Sequence, residues 1–120
     1  MGKVGKYTAV NEHSSAFERA LQAATLGNPE AEFDVGLMYL TGDGIAKDAP
    51  QALAWLLKAA NHELIDAQYN TALMYLKGDG IDTDTEQAFA WMTKAALNNA
   101  ARLSHKTRDK YIVQSQPLKC

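Results

Sequence analysis

Residues 31–45 read AEFDVGLMYLTGDGI, and residues 67–81 read AQYNTALMYLKGDGI. Leu37/Leu73, Met38/Met74, Tyr39/Tyr75, Gly42/Gly78, Gly44/Gly80 and Ile45/Ile81 all stand 36 residues apart. Gln51/Gln87 and Trp55/Trp91 carry the same register further. A repeat of this length marks a solenoid, in which each unit buries its apolar face on its neighbours. The expected fold class is therefore all-α, an α-α superhelix built as a short solenoid of antiparallel helix hairpins.

The register extends outward on both sides. Ala16, Ala52 and Ala88 align, as do Ala23-Ala24, Ala59-Ala60 and Ala95-Ala96, and Tyr111 falls beneath Tyr39 and Tyr75. The repeat domain is thus expected over residues 15–114: a half unit at 15–30, repeats at 31–66 and 67–102, and a capping half unit at 103–114. Residues 1–14 are polar and carry no helical period, so they read as a flexible lead-in, and residues 115–120 as a tail.

Capping signals divide this domain into helices. Ser15 with Glu18 is a capping box that starts a first helix, which should end near Leu26-Gly27. Asn28-Pro29 opens a second helix running to about Thr41. After the Gly42-Asp43-Gly44 turn, Asp48 with Gln51 starts a helix to about Asn61. A helix from about Ile65 to Lys77 follows, and then one capped by Asp84 that ends near Asn98. A sixth helix is expected from about Ala101 to Val113, with hairpin bends near residues 27, 62 and 98.

Composition narrows the function. The 120 residues are 47% hydrophobic, enough for one core, and the net charge of −2 suggests neither nucleic acid nor an acidic membrane as partner. The C-terminal stretch is locally basic, through Arg102, Lys106, Arg108, Lys110 and Lys119. The single cysteine, Cys120, allows no internal disulfide, which fits a reducing compartment. With no apolar run for a signal peptide or a membrane span, the chain reads as soluble and cytoplasmic.

No catalytic constellation emerges, so the chain reads as a non-enzyme with no cofactor. There is no Gly-x-Ser-x-Gly and no phosphate loop. Asp82, Asp84 and Glu86 alternate as in part of a calcium loop, yet the twelve-residue ligand pattern is missing and Asp84 serves as a helix cap. His13, His62 and His105 lie in different segments without metal-ligand spacing, and each reads as a solvated side chain. Trp55 and Trp91 repeat with the solenoid period, which makes them interface wedges between units.

The pattern resembles the Sel-1-like repeat, a relative of the tetratricopeptide repeat. The matching signature is Ala31, Gly36, Tyr39, Gly42, Gly44, Asp48, Ala52, Trp55 and Ala59-Ala60. It recurs as Ala67, Ala72, Tyr75, Gly78, Gly80, Asp84, Ala88, Trp91 and Ala95-Ala96. The resemblance covers about residues 16–113. It implies a right-handed superhelix and a scaffold for protein–protein contacts in a bacterial setting. Ala72 departs from the family's close-packing glycine, and Leu56 and Met92 stand where an aromatic residue often follows the tryptophan. The cysteine pairs of one secreted branch, which is associated with penicillin binding, are absent, so that property does not transfer.

The most informative surface belongs to the first helices of the two repeats. At 100° per residue, Phe33, Leu37 and Leu40 form one apolar stripe, and Tyr69, Leu73 and Leu76 repeat it. Adjacent first helices lie about 10 Å apart, so the stripes are expected to merge into one partner-binding groove. Glu30, Asp34, Asp66, Asn70 and Lys77 would rim it. The rim is mostly acidic, which predicts a protein or peptide ligand carrying Lys or Arg beside its apolar anchors. Phe33 and Tyr69 also fit a second reading, packing within the solenoid. In the last half unit the stripe positions become His105, Arg108, Asp109 and Ile112, as a terminal cap requires.

The function expected is an interaction module or adaptor binding a peptide, helix or folded partner along this groove. The alternative is a dedicated inhibitor or immunity protein masking a toxin or enzyme. A homodimer is also expected, because the first helix lacks a partner helix of its own and would leave Phe17 and Leu21 for a second copy to cover.

Overall fold

The structure, a computed structural model, describes residues 15–111, with side chains as far as Leu103. The lead-in at 1–14 and the tail at 115–120 lie outside the described residues, as does Ile112. Among the described residues the chain forms five helices and no strand: α1 (Ala16–Thr25), α2 (Pro29–Thr41), α3 (Ala49–Asn61), α4 (Ile65–Lys77) and α5 (Thr85–Tyr111).

The caps act as the sequence implies. Ser15 accepts from the Glu18 amide at 3.1 Å while the Glu18 carboxylate accepts from the Ser15 amide at 3.1 Å, closing the box on α1. Asn28 Oδ1 accepts from Ala31 N–H at 3.1 Å, with Pro29 in the first turn of α2. Asp48 and Asp84 accept from the amides of Gln51 and Gln87 at 3.1 and 3.0 Å, starting α3 and α5. Gly42 and Gly78 end α2 and α4 in the left-handed region, at φ 82° and 67°, where a Cβ would be strained. The bends after them are pinned identically: Asp48 N–H donates to Tyr39 C=O and Asp84 N–H to Tyr75 C=O, both at 2.9 Å.

Packing is between chain neighbours, α1 on α2, α2 on α3, α3 on α4 and α4 on α5. Three buried clusters follow one another along the solenoid. The first joins Phe17, Ala20, Ala24, Ala31 and Val35, with Leu21, Tyr39, Ile45 and Trp55 packed on it. The second joins Ala52, Leu56 and Met74. The third joins Ala59, Ala60 and Ala67, with Trp91 against it. Alanines at the crossing points let the helix axes approach closely. Each tryptophan packs back onto the cluster before its own helix, as an interface wedge should.

Two expectations are corrected. Phe17 is buried and meets the Tyr39 ring edge-on at 5.5 Å, and Leu21 packs against the same cluster. α1 therefore does not leave Phe17 for a second copy; α2, with Ile45 and Trp55 beyond it, packs on the cluster that holds it.

The second correction concerns the C-terminal end. α5 runs unbroken through residue 98, so no separate sixth helix begins near Ala101. The register explains why. The first two bends place Gly27 and Glu63 at positive φ, 93° and 67°. Their counterpart, Asn99, lies within α5. After Gly27 comes the Asn28-Pro29 restart signal, whereas the same two positions after Asn99 are Ala100-Ala101, strong helix formers with no cap. Asn98 is also held in place, donating to Glu63 Oε1 at 2.9 Å and Gln68 Oε1 at 3.0 Å.

Candidate functional site

The first helices α2 and α4 carry the six predicted groove residues, but their surroundings differ. Phe33 packs against both the Ala52–Leu56–Met74 and the Ala59–Ala60–Ala67 clusters, and Leu40 against the former. These two side chains lie in the seam between the repeats. Their counterparts one unit later, Tyr69 and Leu76, are 49% and 50% exposed. Leu37 and Leu73 are half-buried and belong to none of the three clusters. Among the rim residues, Glu30, Asp66 and Lys77 are exposed, while Asp34 and Asn70 are half-buried. Asn70 donates to the Asp66 carbonyl of its own helix at 2.8 Å. The cap residues His105, Arg108 and Asp109 have side chains outside the description.

A polar contact links α2 to the α3–α4 bend. Glu32 is buried, and its Oε1 lies 2.8 Å from His62 Nδ1. The His62 ring stays solvated, with its side chain 47% exposed, while one edge contacts this buried carboxylate. One unit later the equivalent residues are Gln68 and Asn98, and they again bond to each other, at 3.0 Å. Gln68 Nε2 also donates to the Ala60 carbonyl at 3.1 Å, satisfying a fully buried amide. The repeat keeps the contact and changes its chemistry, which marks it as structural.

Sequence reasoning missed an apolar surface on the last two helices. Phe89 is 74% exposed and Leu103 49% exposed, and Met92 is half-buried. Beside them, Tyr69, Met92, Ala96, Asn99 and Arg102 line an open cavity of about 610 Å³ between α4 and α5. The signal was available in the register. Phe89 and Met92 correspond to Leu53 and Leu56, which pack inside the solenoid one unit earlier.

Among the described residues, no three His, Cys, Asp or Glu side chains converge as a metal site would require. No helix among them is long and apolar enough to cross a membrane. On α2 and α4 the arrangement sets exposed and half-buried apolar side chains beside Glu30, Asp34 and Asp66.

These features define a helical-repeat protein of the superhelical kind. A Sel1 repeat matches twice, at residues 29–63 and 65–99, so the chain belongs to the Sel1 repeat family. Sel1 repeats generally mediate protein–protein interaction. The chain is similar to the crystal structure of a Sel1 repeat protein from Oxalobacter formigenes, at 34% identity and a TM-score of 0.65, over 68% of this chain and 62% of that one. It is equally similar to a protective antigen present in uropathogenic Escherichia coli strains and displaying an SLR fold, again at 34% identity and 0.65, over 70% of this chain and 18% of that one. A curated relative is the chitin synthase regulator SKT5 of Saccharomyces cerevisiae, 38% identical over 52 residues. That match spans 43% of this chain and 8% of the yeast protein.

Proposed function

We propose that this chain is a cytoplasmic adaptor that binds a peptide, helix or folded protein along the first helices of its repeats. Leu37 and Leu73 form the floor of the groove, and the outer edges of Phe33, Leu40, Tyr69 and Leu76 flank it. The observation that carries the reading is the half-exposure of Tyr69 and Leu76 on the same helix as Leu73. Large apolar side chains left bare within a polar border are what a recognition groove requires. Glu30, Asp34 and Asp66 make that border acidic, so the ligand is one with Lys or Arg next to apolar anchors. The yeast relative, a regulator by its name, is consistent with a role exerted through another protein.

The test is the double variant Tyr69→Ala/Leu73→Ser, measured for thermal stability and for capture of the partner. Loss of capture with a nearly unchanged melting temperature supports the groove. Collapse of the fold would assign these side chains to the core and end the reading.

A further inference from the structure

The bare surface at the C-terminal end of the solenoid has a covered twin. In the first repeat Phe33, Leu40 and Leu53 pack against a buried cluster to which α4 contributes Met74. The same register positions in the second repeat are Tyr69, Leu76 and Phe89, and they are 49%, 50% and 74% exposed. Residues 101–111 hold the register of α4, yet they continue α5 outward, so that among the described residues no helix covers this surface. The 14 residues of α5 from Asn98 onward extend about 20 Å beyond the part that matches α3 in length.

We propose that a second copy of this chain supplies the missing helix, the distal half of each α5 lying on the Tyr69–Leu76–Phe89 surface of the other. Three observations favour this occupant. First, the second helix of one unit and the first helix of the next run antiparallel. Two α5 helices crossing about a two-fold axis near Asn98–Asn99 reproduce that contact in trans without a bend. Second, α5 is already straight through Asn99, as a reciprocal exchange requires. Third, the distal half is net positive beyond Arg102, which itself lines the cavity: it carries Lys106, Arg108 and Lys110 against Asp109, and Asp66 stands at the cavity border beside Glu63, which Lys94 approaches at 3.7 Å.

This dimer goes beyond the proposed adaptor function and uses a different surface from the one expected on α1. Phe89 belongs to the dimer surface and not to the groove, while Leu37 belongs to the groove and not to the dimer surface. Phe89→Asp therefore tests the dimer alone and Leu37→Ser the groove alone, whereas Tyr69→Ala/Leu73→Ser touches both. The two proposals share Tyr69 and Leu76, so a groove ligand that reaches these residues competes with the second copy.

The experiment is light scattering on the full chain across micromolar concentrations, under reducing conditions so that Cys120 contributes no crosslink. The expected mass is twice the 13.1 kDa of one chain. Phe89→Asp removes the dimer while helical circular dichroism and melting of the monomer stay unchanged, because this side chain is exposed. Glycine at position 99 favours the bend and alanine the straight helix, a difference of about five-fold per helix and about 25-fold for a dimer of two. Asn99→Gly should therefore dissociate the dimer at concentrations where Asn99→Ala holds it. A monomer at every concentration, or a dimer that survives Phe89→Asp, overturns the proposal.

Discussion

Substituting Gly36 by alanine tests the packing of the solenoid where α2 crosses α3 closely. A Cβ at this position would lie 2.8 Å from Leu56 Cγ, 2.9 Å from its Cδ2 and 3.2 Å from the Ala52 carbonyl oxygen. Apolar carbons rest about 3.5–4.0 Å apart, so either α2 and α3 separate or Leu56 leaves its rotamer. Overpacking of this kind costs about 1–3 kcal/mol. Removing a glycine from a helix interior returns about 1 kcal/mol. The expected net loss for Gly36→Ala is about 1 kcal/mol, or about 4–8 °C in Tm for a domain of this size.

The second repeat shows how the strain is relieved. There the equivalent position is Ala72, fully buried, and the residue facing it in register is Met92 rather than a leucine. Methionine is unbranched at Cγ and yields where leucine cannot. Leu56→Met alone costs less than about 1.5 kcal/mol. In the Gly36→Ala/Leu56→Met protein the alanine penalty should shrink, giving a favourable coupling of about 1 kcal/mol in a double-mutant cycle measured by urea unfolding. Only the contact with the Ala52 carbonyl remains. A Gly36→Ala protein more stable than the wild type, or a cycle with no coupling, would refute this account of the crossing.

Three other substitutions follow from the register. Thr71 Oγ1 is buried without a hydrogen-bond partner, and the same position one unit earlier is Val35; Thr71→Val should raise stability by about 1–2 kcal/mol, and a loss in thermal melting would contradict that. His62→Ala leaves the buried Glu32 carboxylate without this contact and should cost about 1–3 kcal/mol. The same change in a Glu32→Gln background, which imitates Gln68, should cost clearly less, and equal losses in the two backgrounds would show that the contact carries no energy. Trp91→Ala removes a half-buried ring packed on the Ala59–Ala60–Ala67 cluster, with Lys94 Nζ 5.9 Å from the ring centre; about 2 kcal/mol is expected by chemical denaturation, below the 3–5 kcal/mol of a fully buried ring.

Much of the fold could be read from residues because the chain states its signals twice. The caps at Ser15, Asn28, Asp48 and Asp84 act locally and each formed where the sequence placed it, as did the helix end at the Gly42–Gly44 turn. The bend expected near residue 98 does not form, because the 36-residue register outlasts its stop signals. Ala100-Ala101 replaces the cap and proline of Asn28-Pro29, and local helix preference then prevails. The fate of Phe33 and Tyr69 was not legible at all. They share a register position, yet one has a following helix over it and the other has none, and only tertiary context separates them. Phe89 escaped notice for the same reason, since an apolar residue on a second helix reads as core until its cover is known to be elsewhere.

The groove along α2 and α4 is the central claim, and an amide-shift titration tests it most directly. Peptides selected from an unbiased library on the immobilised chain would be added to isotope-labelled protein, and the perturbed backbone amides mapped onto the helices. The account predicts ligands that pair apolar residues with Lys or Arg. Shifts should concentrate at Asp34, Leu37, Tyr69, Asn70, Leu73 and Lys77, and vanish in the Tyr69→Ala/Leu73→Ser protein. Shifts confined to α1 and α3, or unchanged binding in that variant, would contradict it.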